Sequence, residues 1–150
     1  MQEFQAIERI RRRLPAAPPG EVWLGDDAAV VAGRAGPALL AADLVVAGVH
    51  ADLDLVGLED VGWKAVAANV SDIAAMGGEP RYLLVSVAAP SDLDLDRLYD
   101  GIAAAAAAYG CAVVGGDLSA APVLVVAVTV VGDPGAGERP PVLRSGAGAG

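Results

Sequence analysis

The sequence predicts an α/β chain of the layered α+β kind, a mixed β-sheet with helices packed on one face. Three observations predict it. Valine-rich aliphatic runs of strand length recur along the chain, alanine-rich segments of helical length alternate with them, and glycine or proline separates nearly every pair. Hydrophobic residues make up 55% of the 150 residues against 19% charged, which excludes the composition of a disordered chain and suits one folded core.

Each element follows in order. Phe4, Ile7, Ile10 and Leu14 stand at helical spacing with Glu and Arg between them, and the PAAPPG run stops that helix. Residues 22–32 and 39–49 read as two strands separated by the turn signal GRAGP, which predicts a hairpin. Leu58 to Met76 is the longest helix, closed by GGEP. Arg81 to Ala89 reads as a buried strand. Ser91 or Asp92 is the expected cap of a helix running to about Tyr109, and Ala112 to Gly115 is a strand entering GGD. Val123 to Gly132 is the last strand. The predicted order is α, β, β, α, β, α, β, β, with the folded core over residues 1–132. The Gly- and Pro-rich stretch 133–150 is expected to be a linker.

Charge and composition restrict the partners. With 19 acidic residues against 10 basic ones the net charge is -9, so the mean field repels nucleic-acid phosphates and anionic membrane surfaces. Neither is an expected partner. The first fourteen residues lack the apolar stretch of a signal peptide, and the longest aliphatic run, Val123 to Val131, is far shorter than a membrane-spanning helix. The expected location is the cytoplasm. Cys111 is the single cysteine, so no intramolecular disulfide forms, and its apolar neighbours mark it as a buried side chain without chemistry.

The functional signal is acidic. Asp26 and Asp27 in GDDAAVV, Asp43 in AADLVVAGVH, Asp72 in NVSDIAAMGGEP and Asp117 in GGDLS are expected where strands or helices meet loops. A converging set of carboxylates repels itself unless cations neutralise it, and magnesium, a hard cation that shares oxygen ligands with water and phosphates, is the natural choice. The competing reading makes Asp26, Asp72 and Asp117 caps of turns or helices. Asp72 weighs against capping because it falls inside an alanine-rich helix, sharing a face with Lys64, Ala68 and Ser71. Glycines 25, 77, 78, 115 and 116 beside these acids let backbone amides approach phosphates. No GxxxxGK[ST] or GxGxxG loop is present.

Together GDDAAVV, DLVVAGVH, WKAVAANVSDIAAMGGEP and VVGGDLS, in this order, resemble the amino-terminal domain of thiamine-monophosphate kinases, over roughly residues 20–148. That domain belongs to the PurM-like superfamily of AIR synthase-related enzymes. The resemblance implies transfer of the ATP γ-phosphoryl group to thiamine phosphate, giving thiamine diphosphate and ADP, with alignment and charge neutralisation carrying the catalysis. It implies Mg2+ held by Asp27, Asp43, Asp72 and Asp117, nucleotide contacts from Gly116, Asp117 and Arg144, and a substrate contact from His50. No residue is assigned a covalent catalytic role, and Lys64 and Asn69 are supportive.

The resemblance further implies a homodimer, with thiamine phosphate and ATP as the small-molecule partners and the active site at the junction of domains and subunits. It also implies a second domain of similar size, toward which residues 133–150 would lead. Ala41 and Ala42 stand where the family usually has a hydroxyl pair, which removes a metal or water ligand. The alternatives are a superfamily enzyme with another phosphate acceptor, or a truncated, non-catalytic nucleotide-binding or dimerisation module.

Overall fold

Three helices and four strands carry the core. The computed structural model describes residues 3–33, 35–135, 140–146 and 148. Its elements are α1 (Glu3–Arg11), β1 (Leu39–Val46), α2 (Leu58–Ala75), β2 (Gly78–Ala89), α3 (Leu95–Tyr109), β3 (Ala112–Ala120), β4 (Val125–Pro134) and a short 3-10 turn at Arg144–Gly146. The strands form one sheet in the order β1-β4-β2-β3. β4 runs antiparallel to both neighbours, whereas β2 and β3, joined through α3, are parallel. The sheet is therefore mixed, as the sequence predicts.

Alternation decides which face is dry. Leu83, Val85 and Val87 of β2 and Val126, Val128 and Val130 of β4 are at most 2% exposed and face the helices. Leu84, Ser86, Ala127 and Thr129 lie on the other face. α2 covers β1, β4 and β2, α3 packs on α2 and β3, and α1 packs on α3. The helix pair crosses closely because two glycines stand at the contact. A Cβ on Gly101 would lie 1.9 Å from the Glu59 carbonyl oxygen, and one on Gly62 would lie 2.2 Å from that of Leu98. The Arg97 guanidinium bonds both Glu59 carboxylate oxygens at 2.7 and 2.8 Å across the same crossing.

Four expectations need correction. The segment 22–32 is not a strand of a hairpin with β1: Val22 and Val30 bond only each other, at 2.8 and 2.7 Å. The reason is the GDD turn between them, where Gly25 has a φ of +115° and the chain doubles back. The cap of α3 is Asp94, whose side chain accepts from the amides of Asp96 and Arg97, and neither Ser91 nor Asp92 fills that role. α1 buries Ala6 and Ile10 and leaves Phe4 87% exposed, because the helix docks on α3 through Arg9 and Arg13, which pair with Asp96 and Asp100. β3 continues through GGD to Ala120, and β4 reaches Pro134, two residues past the expected core boundary.

Candidate functional site

The stretch that bears Asp26 and Asp27 is irregular, yet its base is tied down. Glu21 Oε1 accepts from the Tyr82 hydroxyl at 2.8 Å and from the Ala32 amide at 3.0 Å, while Oε2 accepts from Trp23 Nε1 at 2.7 Å. The Tyr82 bond first and the Trp23 bond second hold the Glu21 carboxyl below its ordinary range. Burial and the same Glu21 contact push the Tyr82 hydroxyl up. At the tip, Asp26 Oδ1 accepts from the Asp27 amide at 2.9 Å, and both aspartates are exposed.

The loop meets β3 at an irregularity in the sheet. The β2–β3 register jumps between Leu83, opposite Val113, and Leu84, opposite Gly115, so Val114 is an extra residue. Its carbonyl accepts from the Leu24 amide at 3.0 Å. That single bond places Gly25, Asp26 and Asp27 a few residues from Gly116 and Asp117. Gly116 has a φ of +156°, and a Cβ there would lie 1.8 Å from the Val85 carbonyl oxygen, so the position admits glycine alone. Asp117 pairs with Ser86 in the ladder and is exposed on the face opposite the helices.

Asp43 and Asp72 lie on β1 and α2. Asp43 sits in the middle of β1, opposite Val128, on the helix-facing side, where it is nonetheless exposed. Its Oδ1 accepts from the Leu44 amide at 2.8 Å. Asp72 is exposed on the flank of α2 that also carries Lys64 and Ala68, and Lys64 Nζ donates to the carbonyl of His50 just beyond β1.

His50 Nδ1 accepts from the Val46 amide at 3.1 Å, which leaves Nε2 as the N–H donor of the neutral ring. The carboxyl end of α2 holds the tail, since the Val142 amide donates to the Met76 carbonyl at 2.9 Å. Arg144 follows two residues later, exposed. Buried Asn69, at 1% exposure, donates to the Ala65 carbonyl at 2.9 Å inside α2.

The topology places Asp43 on edge strand β1 and Asp117 on edge strand β3, with Asp72 on the exposed side of α2 and Asp27 in the loop bonded to β3 through Leu24 and Val114. The two edge strands lie three strand spacings apart, about 14 Å. Asp43 and Asp117 lie inside strands, where the sequence places them at element ends. Among the described residues no three His, Cys, Asp or Glu side chains form a group that could hold a metal ion. The donors themselves are exposed oxygen ligands, and none of these four carboxylates forms an ion pair with a described Lys or Arg. That chemistry fits magnesium, which ordinarily takes one or two carboxylates from a protein and completes its shell with phosphates and water. Cys111 is buried, and burial pushes its thiol up to about 11, which removes it from any chemistry near neutral pH. Among the described residues no helix is long and apolar enough to cross a membrane.

A model of the family described as AIR synthase related protein, N-terminal domain, matches residues 25–133. The chain belongs to that family. This AIR synthase related domain is 41% identical over 138 residues to the thiamine-monophosphate kinase of Bacillus subtilis (strain 168), a match that covers 89% of this chain and 42% of the relative. The thiamine-monophosphate kinase of Stenotrophomonas maltophilia K279a superposes with a TM-score of 0.72 at 32% identity, over 92% of this chain and 44% of that one. AaThiL complexed with AMPPCP and TMP superposes with a TM-score of 0.60 at 41% identity, over 63% of this chain and 31% of that one. The chain spans less than half the length of the curated relatives it matches.

Sequence reasoning passed over Glu21 and Tyr82.

Proposed function

We propose that this chain is the magnesium- and nucleotide-binding half of a thiamine-phosphate kinase, a cytoplasmic enzyme that acts together with the portion of its relatives lying beyond the matched region. The observation that carries the proposal is the 41% identity to a thiamine-monophosphate kinase across 89% of this chain. The complex of AaThiL with AMPPCP and TMP supports the choice of ATP and thiamine phosphate as ligands.

In the proposed reaction a phosphate oxygen of thiamine phosphate attacks the γ-phosphorus of ATP. The bond from that phosphorus to the β–γ bridging oxygen breaks, and ADP leaves with the electron pair. Asp27, Asp43, Asp72 and Asp117 would hold magnesium, which supplies charge neutralisation for the phosphates when bound. The bare Gly116 backbone lets a phosphate approach without a side chain in the way, with Asp117 beside it. Arg144 contributes a bidentate cation for the nucleotide, and His50, oriented by Val46 and anchored by Lys64, offers its Nε2–H to thiamine phosphate.

Separation of Asp43 and Asp117 onto the two edge strands supports a homodimer. β1 and β3 are the unpaired edges of this sheet, and its open face exposes Leu40, Leu44 and Leu84 at 71%, 46% and 41%. A second copy joined across a twofold axis would set the Asp43 edge of one subunit near the Asp117 edge of the other.

NMR shift mapping tests the reading. Mg2+ with a non-hydrolysable ATP analogue is expected to move the amides of Asp43, Asp72, Gly116 and Asp117, and later addition of thiamine phosphate to move His50. Shifts confined to other surfaces would contradict it.

A further inference from the structure

Glu21 stands outside the acidic set that the family resemblance singles out, yet it ties together more of the fold than any of those aspartates. Its two oxygens accept from Tyr82 on β2, from Trp23 within the loop and from Ala32 at the far end of the loop. Tyr82 is itself held in place. Arg81 Nη2 donates to the Tyr82 hydroxyl at 3.2 Å, and the guanidinium carbon lies 4.9 Å from the centre of the tyrosine ring. Arg81 Nε is 3.4 Å from Asp133 Oδ2 on β4. A continuous path therefore runs from β4 through Arg81 and Tyr82 to Glu21.

A segment as long and irregular as 21–38 would sample many conformations unless tied. Among the described residues three ties hold it: the Val22–Val30 bridge, the Leu24–Val114 bond and Glu21. The first two are made by backbone. Among the described residues Glu21 alone ties the loop to the sheet through a side chain, and it closes both ends at once because Ala32 and Tyr82 share Oε1.

We propose that Glu21 is a positioning residue, clamping the loop on β2 so that Asp26 and Asp27 are presented beside Gly116 and Asp117. The inference rests on the proposed magnesium and nucleotide role of that site, which none of the Glu21 contacts touches directly. Its action is entropic: a loop ordered before binding spares the ligand the cost of ordering it.

The clamp makes a distinctive prediction for Glu21→Gln. The amide oxygen still accepts from Tyr82 and Ala32, but the amide nitrogen now presents a donor to the Trp23 Nε1 donor. Trp23→Phe removes that conflict, so the double variant recovers what Glu21→Gln loses, a coupling that a generic structural role lacks. Glu21→Ala with Tyr82→Phe removes the clamp outright.

The experiment pairs hydrogen exchange with calorimetry on the intact chain, using Mg2+ and a non-hydrolysable ATP analogue. Glu21→Ala is expected to lose amide protection at Leu24 and Ala32 while Val85 and Val128 stay protected, and to weaken analogue binding about tenfold, the factor about 1.4 kcal/mol represents. Glu21→Gln is expected to fall between, with recovery in the double variant. Unchanged protection at Leu24 and Ala32, or uniform loss across the sheet, would overturn the clamp. Equal affinity in wild type and Glu21→Ala would overturn its positioning role. Failure of the wild type to bind the analogue would sink the nucleotide reading and with it that role, while the exchange result still decides the clamp.

Discussion

Glu21 carries three accepted hydrogen bonds on a carboxylate near the surface, and its charge state sets whether they persist. Tyr82 first, then Trp23, with a smaller attraction from Arg81, hold its carboxyl below the ordinary value of 4.5. Asp133 pairs with the same Arg81. The unfolded chain therefore binds the proton more readily than the folded one, and stability rises with pH through this window. The contribution is complete above the ordinary carboxylate value and is lost as pH falls through the depressed folded value. Denaturant midpoints should show wild type more stable than Glu21→Gln near neutral pH, with the gap closing as pH falls through and below the depressed folded value. A gap that persists in acid would contradict the assignment. At Gly116 the constraint is steric: Gly116→Ala brings a Cβ to 1.8 Å from the Val85 carbonyl oxygen, so the strand must shift. A loss of about 1–3 kcal/mol in chemical unfolding is expected.

At the scale of elements, periodicity and punctuation revealed α2, β2, α3 and β4 almost to their ends. Alanine-rich helices and valine-rich strands leave little competition between local preference and packing. The failures share a cause. In 22–32 the strand-like residues are real, but the GDD turn closes the segment on itself before it reaches the sheet. In α3 three candidate caps lie within four residues, and only the backbone geometry selects Asp94. Asp94→Ala should lower stability by about 0.5–2 kcal/mol, while Ser91→Ala and Asp92→Ala change little; thermal unfolding of the three variants checks this. That Asp43 and Asp117 fall on opposite edge strands was not legible, because strand order is decided by long-range pairing: β4, last in the chain, inserts between β1 and β2.

For the whole molecule, the proposed homodimer would cover Leu40, Leu44 and Leu84, which the open sheet face exposes. Sedimentation should show a concentration-dependent dimer in the wild type, and Leu84→Glu, which sets a charge in the middle of the open face, should yield monomer. A wild type that stays monomeric at all concentrations would remove the dimer. The central claim, that Asp27, Asp43, Asp72 and Asp117 bind phosphates through magnesium, is tested most directly by calorimetric titration of the intact chain with ATP in the presence and absence of Mg2+. The account predicts binding that requires magnesium and weakens about tenfold or more, or about 1.4 kcal/mol, when any one of the four becomes asparagine. Equal binding without magnesium, or no binding at millimolar nucleotide, would contradict it.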